Sequence, residues 1–214
     1  MTAGVTPPPQ KRLPMPSSDS EARRACVFCG SSVGFHSVYR DAATQTGRVL
    51  VERGFSLVYG GGQVGLMGVI ADSVLASGGR VVGVIPEFLA TKELMHTGIS
   101  ELHTVDSMHT RKALMAELSD VFLALPGGLG TFDELCEIVT WAQLGLHARP
   151  IGLLNVQGYF DGLIQQVERA IADGFCRPEH RRLFVVDANP YRLLDAMAVH
   201  VPPDVTKWLE PGET

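Results

Sequence analysis

Two glycine turns and one arginine–glutamate pair carry most of the chemistry this sequence can support. Tyr59-Gly60-Gly61-Gly62 runs into Gly65-Leu66-Met67-Gly68, and Pro126-Gly127-Gly128-Leu129-Gly130-Thr131 runs into Phe132, Asp133 and Glu134. A glycine turn that ends a strand and opens a helix directs backbone N–H groups and the positive end of the helix dipole at one point. That arrangement suits an anion, typically phosphate. Neither turn continues into Gly-Lys-Ser or Gly-Lys-Thr, which argues against a Walker-type triphosphate site. Gly60 to Gly65 matches a dinucleotide fingerprint only loosely, because the second strand after it lacks a convincing terminal acid.

Between the turns, charge sits where an apolar face is expected. Met108, Met115 and Leu118 recur at helical spacing, Arg111 falls between them, and Lys112 borders the same stripe. A cation there either extends its head to water or meets a negative partner. An amphipathic helix with long basic stems explains this much; two anion-binding turns nearby make an anionic ligand the better explanation. Glu134 also has two readings. Thr131-x-x-Glu134 has the spacing of a capping box with Thr131 as N-cap. A carboxylate near a helix N-terminus is also favoured in its ionised form, fit to orient a ribose hydroxyl, position water or stabilise positive charge on a sugar ring. Glu87 follows Pro86 at the end of a strand and Thr140 stands about two turns beyond Thr131; both gain meaning only from the rest.

The elements that must position these groups are legible as alternating short apolar runs and helix-period segments. Strands are expected at 25–29, 56–59, 80–85, 102–105, 121–125, 150–154 and 183–186, with helices at 36–53, 65–78, 107–118, 131–144, 159–173 and from 191 onward. Continuous apolar strands alternating with helices imply a parallel sheet covered on both faces: an α/β, doubly wound, Rossmann-like sheet of about six or seven strands. Such sheets bind ligands beyond the carboxyl ends of their strands, where these glycines concentrate. Phe35, Phe55 and Phe122 are expected in the core. Residues 1–23, rich in Pro, Ser and Thr, are expected to be a disordered leader, residues 24–209 the folded domain, and 210–214 a frayed tail.

Composition narrows the function classes. The 214 residues carry 18 basic and 23 acidic side chains, a net charge of −5, which offers no basic stripe for nucleic acid or an anionic membrane. No apolar run is long enough to span a bilayer and no secretory signal is visible. Four cysteines do not make a disulfide framework, so a reduced, cytoplasmic protein is expected. Cys26 and Cys29 lie on opposite faces of a strand, and the histidines form no ligand cluster, so no metal and no cofactor is called for. No Gly-x-Ser-x-Gly elbow is present.

Taken together, the turn at 59–68, Met108-His109-x-Arg111-Lys112-x-x-Met115, Pro126-Gly127-Gly128-x-Gly130-Thr131-x-x-Glu134 and Trp141-Ala142-Gln143-Leu144-Gly145 resemble the LOG (Lonely Guy) family of cytokinin riboside 5′-monophosphate phosphoribohydrolases over residues 24–200. The resemblance implies cleavage of the N-glycosidic bond of an adenosine-type monophosphate, N6-prenylated in many members, to free base and ribose 5-phosphate. It implies Arg111 and Glu134 as the catalytic pair. Substrate contacts would come from Glu87, Arg111, Lys112, Gly127, Gly128, Leu129, Gly130, Thr131, Phe132, Asp133 and Thr140, to which the first turn adds Gly61 and Gly62. Asp133 stands where many relatives have Glu. A homodimer is implied, with the partner completing each site. Relatives are often labelled lysine decarboxylases, yet no lysine here sits in a context suggesting a pyridoxal Schiff base. The alternative is a non-catalytic nucleotide-binding or carrier module of the same fold.

Overall fold

The computed structural model describes residues 23–90 and 95–203. Its strands are the short runs that are apolar on both sides: β2 (Phe55–Tyr59), β3 (Val81–Pro86), β5 (Val121–Ala124) and β6 (Ile151–Leu154) are buried at every position. With β1 (Arg23–Phe28), β4 (Glu101–Val105) and β7 (Val185–Asp187) they form one seven-stranded sheet of order β4-β3-β2-β1-β5-β6-β7. Every pairing is parallel, so helices must cover both faces.

One face packs on α1 (Ser37–Glu52), α2 (Gly65–Ala76) and α7 (Pro190–Val199), around Leu50, Leu57, Ile70 and Leu193. The other packs on α4 (Met108–Glu117), α5 (Leu129–Gln143) and α6 (Asp161–Ala172), around Met115, Phe122, Leu135 and Ile138. A short α3 (Glu87–Ala90) follows β3. Cys26 and Cys29 fall in different clusters, as odd spacing on a strand requires. Among the described residues no helix is long and apolar enough to cross a membrane.

Strand order reverses between β1 and β5, and the loops leaving them separate there, opening a crevice at the carboxyl ends. Those loops are fastened to each other and to α2: the Gly30 N–H donates to the Pro126 carbonyl at 3.1 Å, and the Leu66 N–H to the Gly30 carbonyl at 2.9 Å.

Several expectations change. β1 begins at Arg23, inside the stretch expected to be a leader; residues 1–22 and the expected tail at 210–214 lie outside the described residues. Phe35 is fully exposed rather than core, because it stands on the loop between β1 and α1 and not on an element. Leu183 belongs to a 3-10 turn (Pro178–Leu183), and the strand starts at Val185.

Gly65 shows how tightly the loops meet. Its φ is +64°, and a Cβ there would overlap the Ser31 backbone. Neither conflict can be relieved by moving a side chain, so Gly65→Ala should lower the unfolding free energy by more than ~2 kcal/mol in urea titration.

Candidate active site

Arg111 organises the site. It projects from α4 with only 8% of its surface exposed, so its charge must be met by protein groups. Nε donates to the Val84 carbonyl of β3 at 3.2 Å and Nη2 to the Gly60 carbonyl after β2 at 3.3 Å. Nη2 also lies 3.8 Å from Glu134 Oε1, and Nη1 lies 3.7 Å from the Met108 sulfur. The cation expected on an apolar face thus has its negative partner. Gly60 permits the approach, since a Cβ there would overlap Nη2.

Glu134 brings its carboxyl into the same dry space, with 10% of the side chain exposed. Burial pushes its pKa from the ordinary 4.5 up to about 7; Arg111 pulls it down and Asp133 pushes it up further, but desolvation wins. This corrects the expectation that the helix terminus would keep it a simple anion. The capping-box reading is corrected too. The N-cap of α5 is Gly128, the helix starts at Leu129, and no side chain caps it. Thr131 lies inside the first turn, 3% exposed. The thiols of Cys26 and Cys29 are likewise pushed up, first by burial and next by Glu134.

With no side-chain cap, the amides of Leu129, Gly130 and Thr131 meet no acceptor among the described residues, the condition for an anion at a helix start. Beside them a cavity of about 270 Å³ occupies the β1/β5 crevice, lined by Gly30, Ser31, Ser32, Gly127, Gly128 and Tyr159 among others. The Tyr159 hydroxyl donates to the Gly127 carbonyl, and its ring stacks on Phe132 at 6.4 Å. Arg111 and Glu134 do not line this cavity; it adjoins them through the start of α5.

Other residues named from the sequence fall at varied distances from this centre. Lys112 is half-buried and engaged, with Nζ 3.1 Å from both Asp133 Oδ2 and Glu137 Oε2; the shorter Asp133 reaches this contact. Gly61 and Gly62 are buried rather than open to a ligand, since the Gly61 carbonyl accepts from the His96 N–H at 3.1 Å and Gly62 bridges Met95. Glu87 is exposed at the start of α3, just beyond Val84. Thr140 is exposed, its hydroxyl bonded to the Cys136 carbonyl, about 9 Å along α5 from Glu134 and about 120° round. Sequence reading missed Ser31, Ser32 and Tyr159 as site residues. Gly30-Ser31-Ser32 had a usable signal, a third glycine turn after a strand; Tyr159 had none, because it reaches Gly127 only through the sheet.

Two measurements follow from this geometry. The folded pKa of Glu134 lies above its unfolded value, so the native state keeps a proton that the unfolded chain has released. Its contribution is therefore full below about 4.5 and is lost as pH rises through about 7. Glu134→Gln should be more stable than wild type at pH 8 by up to about 3 kcal/mol, with the difference vanishing near pH 4.5; a helix cap would instead lose about 0.5–2 kcal/mol. Gly60→Ala should lower stability by about 1–3 kcal/mol, since the added Cβ drives the buried Arg111 Nη2 off the Gly60 carbonyl. Thermal melting against pH checks both.

Comparison with known proteins places the chain. A family model described as "Possible lysine decarboxylase" matches residues 67–197. A probable cytokinin riboside 5′-monophosphate phosphoribohydrolase of Oryza sativa subsp. japonica is 52% identical over 183 residues, 86% of this chain and 81% of that protein. A cytokinin riboside 5′-monophosphate phosphoribohydrolase of Arabidopsis thaliana is 48% identical over 188 residues, 88% of each. Among solved structures, the molybdenum cofactor carrier protein of Chlamydomonas reinhardtii aligns with TM-score 0.63 at 17% identity, covering 83% of this chain and 96% of that one. The molybdenum cofactor binding protein of Rippkaea orientalis aligns with TM-score 0.63 at 19% identity, covering 84% and 98%. These two likenesses establish the fold alone. With about half its residues identical to the plant enzymes over most of its length, the chain belongs to the LOG family of cytokinin riboside 5′-monophosphate phosphoribohydrolases.

Proposed function

We propose that this protein hydrolyses the N-glycosidic bond of adenosine-type nucleoside 5′-monophosphates, including N6-prenylated ones, to free base and ribose 5-phosphate. The observation that carries the reading is a buried guanidinium–carboxyl pair beside helix amides that meet no acceptor among the described residues. The activity of relatives about half identical supports it over a carrier role.

In this reading the 5′-phosphate seats on the start of α5, holding the sugar so that binding energy orients the reacting bond. Cleavage of the bond between C1′ and the purine nitrogen passes through an oxocarbenium-like state. The departing purine needs a proton and the sugar needs water. Glu134, with a pKa of about 7, is suited to both: as the acid it protonates the purine, and as the resulting carboxylate it steadies the cationic ring and takes a proton from the attacking water. Proton and water then balance, and the carboxyl is regenerated. Arg111 remains charged throughout, supplying hydrogen bonds and compensating the carboxylate. Lys112, Glu87 and residues 127–133 complete the substrate contacts. Thr140, turned away from Glu134, fits a contact reached across a homodimer, to which the exposed Leu144 and Leu146 would contribute. A reduced, cytoplasmic setting fits the four free cysteines.

The test is release of free base from AMP and from isopentenyladenosine monophosphate, against the unphosphorylated nucleosides. Monophosphates should be cleaved and nucleosides poorly. Arg111→Ala and Glu134→Gln should each lose about 100-fold or more while remaining folded. A carrier would bind AMP and release nothing. The pH profile of kcat/KM should be bell-shaped, rising through roughly 6 as the substrate phosphate takes its second charge and falling above about 7 as Glu134 loses its proton. Activity that climbs steadily to pH 9 would remove Glu134 as the acid.

A further inference from the structure

Arg111 depends on the direction of the Gly60 carbonyl, and that carbonyl belongs to a turn whose other side is held by a distant segment. The His96 N–H donates to the Gly61 carbonyl at 3.1 Å, and Gly62 forms an antiparallel bridge with Met95. One amide bond and one bridge are weak fastenings. The His96 ring, 7% exposed and bonded at both nitrogens, ties this segment to α2, beside Ile99, which packs on the core, and the Ser100 hydroxyl, which accepts the Val81 N–H at 3.1 Å. Nε2 lies 3.0 Å from Asp72 Oδ1 on α2, and Nδ1 accepts the Gly98 N–H at 3.2 Å. A nitrogen that accepts an N–H carries no proton, so the ring is the neutral tautomer donating from Nε2 to Asp72. The fit beneath is close: a Cβ on Gly83 would touch both Ile99 and the Gly61 Cα.

We infer that His96 is a positioning residue for Arg111, acting through the turn at residues 60–62; the inference rests on the hydrolytic reading above. Asp72, His96, Gly61 and Gly60 form one connected path from α2 to the guanidinium. The ring holds segment 95–99 down, the segment holds the turn, and the turn presents the Gly60 carbonyl to Nη2 at 3.3 Å. Without the ring, Arg111 keeps its Val84 acceptor but loses a fixed second one, and its distance to Glu134 is no longer set. A sub-ångström change at a reacting geometry is enough to alter turnover strongly.

The test is steady-state kinetics of His96→Ala and His96→Gln, well below each variant's melting temperature. His96→Ala should lower kcat by about tenfold or more with a smaller change in KM. His96→Gln, whose amide can still donate to Asp72, should recover most of that loss. Adding Gly60→Ala to His96→Ala should cost far less than Gly60→Ala alone, because both disturb the one contact between Nη2 and the Gly60 carbonyl. A second measurement needs no substrate. The pH at which Glu134-linked stability is lost should move upward in His96→Ala, as Arg111 ceases to pull the carboxyl down. Normal kcat with only a lowered melting temperature, or an unmoved midpoint, would overturn the inference. Wild-type protein that releases no base would overturn the hydrolytic reading instead, and the melting midpoint would still decide the role of His96.

Discussion

The site depends on keeping a guanidinium and a carboxyl side by side out of water. Either group alone would be strongly disfavoured there. Arg111 is tolerated because two main-chain carbonyls, from β2 and β3 edges of the crevice, accept its protons in a fixed direction. Glu134 receives less: among the described residues its one ion-pair partner within 4 Å is Arg111, at 3.8 Å. That imbalance leaves the carboxyl with a pKa raised to about 7. Two ionisable groups in one pocket are thereby driven to different duties by unequal solvation.

Around that pair the parallel sheet performs a sorting task. Reversal of strand order between β1 and β5 brings the starts of α2 and α5 to one crevice. The start of α2 is taken by the Gly30 carbonyl, which locks the loops together; the start of α5 meets no acceptor among the described residues. One helix terminus therefore serves structure and the other is available to a ligand. Glycine serves two close approaches, at Gly60 against the Arg111 guanidinium and at Gly65 against the Ser31 backbone. The start of α5 and Glu134 are about one helical turn apart, a spacing on the scale of the ribose in a nucleotide.

Stability and activity pull in opposite directions here. A carboxyl whose pKa is raised by burial destabilises the native state at neutral pH, and the fold retains it because the remainder of both cores is well packed: Tyr59, Phe122, Phe160 and Leu50 are almost wholly buried. The ring of His96 belongs to the same balance. It is a buried polar group with both nitrogens satisfied, placed where rigidity serves the reacting geometry rather than the core.

Much of this was legible in the chain alone. The period of apolar residues determines strands and helices, strands apolar on both sides demand a doubly covered parallel sheet, and Gly-x-Gly-Thr after a strand raises the expectation of an anion without any knowledge of contacts. Arg111 and Glu134 were visible as charges out of place. Their relationship was not: they lie far apart in the chain on separate helices, and desolvation is a property of everything packed around a group. For that reason the sequence, weighing only the helix terminus, assigned Glu134 the ionised state, whereas tertiary burial raises it to about 7. The same holds for Thr131, which matched a capping pattern until the helix began two residues earlier, and for Tyr159, whose hydroxyl meets Gly127 only because β5 and β6 are neighbours. Local spacing determined which elements form and which groups are available; the tertiary structure alone decided which of those groups lose their water, and with it their protonation and their role.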